Sequence, residues 1–343
     1  MTDLDLTIDR DRLETVRRGA AVVVDHPAVF RITGSGALVC LQGLFTNDLD
    51  HPGDGSLTYG AMLTPKGMIV VDAWVVRQPG ALTLIAPASG RDSVREIFQR
   101  VLPPRLAKVE ESTGDSAVAW VLGAHGFHTL VQSGIGAPEA AGRVVEHESG
   151  AGSLLVALAP EAAPFAALLS GPGHAVEAAV RRLLIAGALR GEERDLHAAR
   201  ILAGWPALGV EIEEKTLPQE VRFDEIGGVS YTKGCYTGQE TVARIHFRGH
   251  TNRELRGLAW REPGGREPGG REPGGREPGA PNDRSVLARE KEVGTVRSTL
   301  TVDGRTLGLA LVRREVAPGS QVVAGGRSAL VVPLPFGGEE LDD

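Results

Sequence analysis

The chain has 343 residues, 42% of them apolar and 24% charged, a globular composition that excludes fibrous or wholly disordered chains. Lys and Arg number 37 against 44 Asp and Glu, and the net charge of −7 argues against a nucleic-acid binder held by phosphate contacts. No apolar run approaches the ~20 residues that span a bilayer, and the acidic N-terminus lacks the apolar segment of a secretory signal. Two cysteines, Cys40 and Cys235, are too few for a disulfide framework, and the expected compartment is the reducing cytoplasm.

In chain order, Val29 to Thr33 reads as a strand, and Ser35 is placed to cap a short helix through Leu41. Leu57 to Leu63, Met68 to Val76 and Ala81 to Ile85 read as antiparallel strands joined by turns at Pro65-Lys66-Gly67 and Pro79-Gly80. Val94, Ile97, Phe98 and Val101 have helical spacing within Ser89 to Leu102. Ala117 to Leu122 and Leu154 to Leu158 read as strands, and Glu161 to Leu169 and His174 to Leu189 as helices. Asp195 to Ala203 predicts another helix, stopped by Gly204-Trp205-Pro206. Past Arg253 the texture turns to short strands: Glu254 to Trp260, Glu292 to Val302, Thr306 to Val316 and Gln321 to Val332. An α+β class with a closing antiparallel barrel follows, with a boundary near residue 250. Four Arg-Glu-Pro-Gly repeats from Arg261 read as an expanded loop in that barrel, since Pro and Gly in every unit build no ladder.

The stretch richest in chemistry is Lys233-Gly234-Cys235-Tyr236-Thr237-Gly238-Gln239-Glu240. Thr237 and Glu240 have capping-box spacing for a helix running to about Arg248, which sets Cys235 beside the positive end of that helix. Lys233 and Arg244 add positive charge, and both effects favour thiolate over thiol. Cys235 is thus a candidate nucleophile, redox-active thiol or transient metal–sulfur ligand, against the plainer reading of a small hydrophobe on a turn. Cys40, on an apolar helix, reads as structural. With no CxxC pair or His/Cys cluster, no permanent metal is expected.

This octapeptide resembles the signature of the folate-binding YgfZ family, relatives of the glycine-cleavage T-protein. Leu41-Gln42-Gly43-Leu44-Phe45-Thr46-Asn47-Asp48-Leu49, Leu63-Thr64-Pro65-Lys66-Gly67 and Thr216-Leu217-Pro218-Gln219-Glu220 extend the likeness over most of the chain. The resemblance implies an α+β fold of GcvT-like type, a ring of two α+β domains and a C-terminal β-barrel around a central folate funnel. Residues 1–50 with 175–250 would form the first domain, 51–174 a ferredoxin-like second, and 251–343 the barrel with its repeat loop at 261–280. The implied function is assembly or repair of iron–sulfur clusters, mainly [4Fe–4S], including those of radical-SAM tRNA-modifying enzymes. Cys235 would be the functional thiol, assisted by Lys233 and Arg244. The implied cofactor is tetrahydrofolate or a one-carbon derivative, held by residues drawn from Asp72, Trp205, Glu220, Tyr236, Gln239 and Glu240. The implied partners are folate and iron–sulfur client or carrier proteins, with no direct nucleic acid or membrane contact, and the chain is expected to be monomeric. The alternative is a folate-dependent aminomethyltransferase or demethylase. Against it, the T-protein's paired aspartates read Val71-Asp72 here, and Leu202 stands where the T-protein has a pterin-binding Glu; the tryptophans that contact folate in some YgfZ proteins are absent, their places falling near Pro27 and at Leu196.

Overall fold

The computed structural model describes residues 5–260 and 284–337, so the Arg-Glu-Pro-Gly repeats lie outside the described residues. Three sheets organise the chain. The first runs in the order Ser56–Leu63, Ile69–Gln78, Ala81–Ala86, Ala28–Thr33, Lys108–Glu111, antiparallel throughout. Its strands are β-branched and apolar, and the helix Arg91–Val101 covers them with Val94, Ile97 and Phe98, the stripe that the spacing predicts. Phe98 meets Phe30 edge-on at 5.7 Å.

The second sheet runs Leu189–Arg190, Ala21–Asp25, Ser116–Leu122, Ala167–Pro172, Gly152–Leu158, Val144–Ser149. The helix Gly173–Ile185 buries Ala175, Val176, Ala179, Val180 and Leu183 against it. The third is a barrel: Lys291–Val302, Ser285–Ala288, Gln321–Ala324, Arg327–Val332, Arg253–Trp260 and Arg305–Arg313, which closes back on Lys291–Val302. Closure removes the free edges that six short strands otherwise present. The N-terminal strand Asp5–Ile8 lies parallel on Lys291–Val302, tying the start of the chain to the barrel.

Sheet pairing divides the chain differently from the sequence expectation. Ala28–Thr33 pairs with Ala81–Ala86 and Lys108–Glu111, so residues 28–50 belong with the strands up to residue 111. Residues 116–190 share their sheet with Ala21–Asp25. The chain thus passes from one sheet to the other at His26-Pro27, a crossing that depends on long-range pairing and leaves no local signature. The predicted helix from Glu161 is instead a turn leading to strand Ala167–Pro172, whose partners flank it on both sides. A short apolar run reads equally well as buried helix or central strand, and here two waiting strand edges decide. Gln321 to Val332 is two strands, reversed at Gly325-Gly326 with φ of +57° and +74°, a primed hairpin turn that glycine alone enters freely. Gly36, not Ser35, occupies the cap of helix Ala37–Gln42.

A single apolar cluster lies between the sheets, collecting Leu6, Tyr59, Trp74, Trp120, Phe165, Trp205, Phe223 and Leu309 from all three. At its edge the helix Glu193–Ala203 is fixed by Asp195, fully buried. Asp195 accepts from the Glu192 amide at 2.6 Å and from Arg12 Nε and Nη2 at 2.6 and 2.5 Å. Asp195→Ala removes a helix cap and one half of this pair. Unfolding in urea is expected to show a loss of about 3 kcal/mol, and a change below about 1 kcal/mol would contradict this reading.

Candidate functional site

A cavity of about 530 Å³ opens where the sheets meet, bordered by the His26-Pro27 crossing, by Asp72 and Trp74, by Trp120 and Phe165, and by Leu196, His197, Arg200 and Trp205. Its position follows from local rules. Asp72 and Trp74 alternate onto one face of the strand Ile69–Gln78. Leu196, His197 and Arg200 share one face of the helix Glu193–Ala203, which ends at Gly204 with φ of +61° and delivers Trp205 to the cavity. Trp205 stacks on Trp74 at 5.6 Å and 11° and meets Tyr59 at 4.6 Å, so it is both cavity wall and core. Pro27 and Leu196 border the same cavity.

Two charged side chains are buried in this largely aromatic wall. Asp72 is 6% exposed; Oδ2 accepts from the Tyr59 hydroxyl at 2.9 Å and Oδ1 has no partner from another residue. Burial pushes its carboxyl up to about 6, against the opposing pull of the Tyr59 hydrogen bond. Arg200 donates from Nη1 to Glu211 at 2.9 Å and from Nε to His197 at 3.3 Å, while Nη2 is buried and unpartnered. Glu211 is itself fully buried, and its second oxygen accepts from Ser298 of the barrel at 2.5 Å. The cavity and Arg200 pull the His197 imidazole below its ordinary value, burial being the larger cause. Leu202, by contrast, turns away from this space. It lines a separate cleft with Val16, Ala199 and Phe336, so a carboxylate restored there would not enter the cavity.

The signature octapeptide forms a second locus, and none of its residues borders the cavity. Lys233 is 8% exposed, and its ammonium donates to the carbonyls of Gln42, Phe45 and Asn47 at 2.7, 2.6 and 2.8 Å. Burial brings it down to about 8, with Asp48 opposing, so it is charged at neutral pH. Lys233 therefore clamps the loop to the 42–47 turn and is fully occupied there. Tyr236 is buried under it, with the ammonium 5.1 Å from the ring centre, and burial pushes its hydroxyl up to about 12. The Thr237 amide donates to Gly43 at 3.0 Å. Gly238, with φ of +84°, sits so close to Gly67 and the Thr64 carbonyl that a Cβ would lie 3.0 and 2.6 Å from them. The three sequence motifs thus pack as one unit. Gly238, not Thr237, is the cap residue, and the helix Gln239–Arg248 starts without a side-chain cap. Between these anchors Cys235 is exposed to solvent.

The remaining predicted residues have other duties. Glu240 and Arg244 pair with each other at 2.6 Å on the exposed side of the helix Gln239–Arg248, with side chains 86% and 69% exposed. Gln239 is half-buried at the first turn of that helix. Glu220 is buried and accepts from Arg253 Nε and Nη2 at 3.0 and 3.1 Å and from the Leu217 amide at 3.0 Å, joining the approach segment to the barrel. Cys40 is half-buried against the first sheet's core, as its apolar setting predicts. Arg200, His197, Glu211 and Trp74 escaped the sequence reading. The alternation from Asp72 points to Trp74, and Arg200 lies within the helix predicted over Asp195 to Ala203. Among the described residues no group of three or more His, Cys, Asp or Glu is arranged to hold a metal ion. No helix among them is long and apolar enough to cross a membrane.

Two outcomes follow from these geometries. Lys233→Met leaves three carbonyls without their donor and is expected to cost about 3 kcal/mol or more in denaturant unfolding. A variant as stable as the parent would refute the clamp. Asp72 binds a proton more tightly folded than unfolded, so its contribution favours the native state below pH ~4 and is lost as pH rises to about 6. The loss amounts to about 3 kcal/mol. Asp72→Asn escapes it, so its stability relative to the parent should rise between pH 4 and 6.5 and then level off; a flat difference would rule out the buried carboxyl as its source.

The comparisons with known proteins agree with this architecture. Residues 7–133 match the family model described as the GCVT N-terminal domain. The "tRNA-modifying protein YgfZ" of Klebsiella pneumoniae (strain 342) is 28% identical over 93% of both chains. The protein of the same name from Sodalis glossinidius is 28% identical over 68% of this chain and 69% of its own. In three dimensions the glycine cleavage system aminomethyltransferase T from Bartonella henselae superposes with a TM-score of 0.76 at 16% identity, over 95% of this chain and 88% of that one, which establishes the fold. With the signature loop, the three-sheet arrangement and the relatives in agreement, the chain has the GcvT fold and is similar to the YgfZ proteins over most of its length.

Proposed function

We propose that this protein binds tetrahydrofolate or a one-carbon derivative and supports assembly or repair of [4Fe–4S] clusters, including those of tRNA-modifying enzymes, through the Cys235 thiol. The observation that carries the reading is the presentation of Cys235. The residues on either side are immobilised, Lys233 by three carbonyls and Tyr236 by burial, while Cys235 stands in solvent. An inert packing cysteine has no need of such a mount. A thiol that must meet a protein-borne cluster does, because a fixed display spares the ordering cost at each encounter. One thiol leaves the other ligands of any such cluster to the partner.

The central cavity suits the pterin. Stacked Trp74 and Trp205, with Phe165 and Trp120, offer flat apolar walls, and Asp72 holds an unused acceptor against them. Tetrahydrofolate bound there would supply one-carbon chemistry; Asp72 and the aromatic walls would hold and orient it. The relatives' name, tRNA-modifying protein, fits a factor that sustains cluster-dependent tRNA modification.

Titration with tetrahydrofolate should give saturable heat and raise the melting temperature, by about 2.7 kcal/mol of added stability at a hundredfold excess over Kd. Absence of both would remove folate from the reading. Cys235→Ser should melt and bind folate like the parent yet fail to restore [4Fe–4S] enzyme activity in cells lacking their own factor. Full restoration at equal expression would overturn the thiol role.

A further inference from the structure

The cavity holds a second buried charge that the family resemblance does not assign. Arg200 borders it, is 5% exposed, and spends Nε on His197 and Nη1 on Glu211 and the Trp205 carbonyl. Nη2, with two N–H donors, has no partner, and a buried donor without one is costly enough to be rare. The guanidinium cannot swing away to find another. Glu211 holds it, and Glu211 is itself held by the Ala207 amide at 3.0 Å and by Ser298 of the barrel at 2.5 Å. Asp72 presents the opposite case on the same cavity, an acceptor oxygen with no partner from another residue. Two residues that border the cavity therefore hold one buried acceptor and one buried donor without a partner from another residue, beside Trp74, Trp120, Phe165 and Trp205. Leu202, in the place of the T-protein's pterin-binding carboxylate, faces another cleft.

We propose that Arg200 is a specificity-determining residue: Nη2 donates to a ring carbonyl of the bound ligand while Asp72 accepts from its ring N–H or amino group. The site thereby selects oxo-amino heterocycles over diamino ones. The proposal deepens the folate reading and rests on it. A ligand with an amino group in place of the ring oxo turns a donor toward a donor, and a site built on hydrogen bonds rejects such a mismatch strongly.

The test compares tetrahydrofolate with its 4-amino analogue, tetrahydroaminopterin, by calorimetry on the full chain. Asp72 accepts donors from both ligands, so the readout is how the affinity ratio changes when Arg200 is altered. Arg200→Lys keeps a cation for Glu211 and deletes Nη2; Arg200→Gln with Glu211→Gln keeps a neutral pair if the first variant melts early. The ratio of oxo to amino affinity should fall at least tenfold in the folded variant. An unchanged ratio, including equal weakening of both ligands, would show that Arg200 only supports the wall and would overturn this inference while leaving folate binding intact. Binding of neither ligand by the parent protein would overturn the folate reading and this inference together.

Discussion

Three sheets, two of them with a helical cover of their own, share one apolar interior, and the cavity and its buried charges are arranged around that shared burial. Three of the four tryptophans, Trp74, Trp120 and Trp205, sit there with Tyr59, Phe165 and Phe223, in a chain only 4% aromatic. Each sheet has a core of its own on one side and contributes its other face to this shared one. Aromatic side chains bury the most area per residue, and their offset and edge contacts fix orientation as well as distance. Rigid rings cannot fill such a junction completely. The space they leave is the cavity, and its flat apolar walls are a by-product of the same packing.

Into this interior the chain places charges that are expensive to bury. Arg200 and Glu211 offset one another, and Glu211 gains further bonds from Ala207 and Ser298. Asp72 has only the Tyr59 hydroxyl, which burial outweighs. Apolar residues of similar volume would pack there at less cost. Incomplete satisfaction at a cavity wall is the pattern of groups kept for a ligand, in contrast to Asp195 and Glu220, whose bidentate arginine contacts serve the fold.

The signature loop applies the opposite logic. Its residues are mostly architecture: Lys233 clamps, Tyr236 fills and Gly238 permits contact with Gly67. Cys235 is left exposed between these constraints. The loop and the cavity are separate surfaces joined through the same core, since Tyr236, Trp205 and Tyr59 belong to one cluster.

The sequence by itself determined the elements whose signals are local. The helical stripe of Val94, Ile97 and Phe98, the stop at Gly204 and three long strands of the closing barrel were legible because spacing and turn residues act within a few positions. The motif around Cys235 also carried the resemblance to the YgfZ proteins, because its eight residues are contiguous and need no fold to be read. Only the tertiary structure decided which sheet each strand joined, because pairing of residues 28–33 with 81–86 and 108–111 is settled by distant partners. The same holds for side-chain roles. Lys233, read as a thiol-activating charge, is consumed by three carbonyls some 190 positions away, and Arg200 acquired its place on the cavity that Asp72 also borders only when the helix Glu193–Ala203 packed between the sheets. A charge's chemistry depends on what desolvates and pairs it, and those neighbours are brought together by folding.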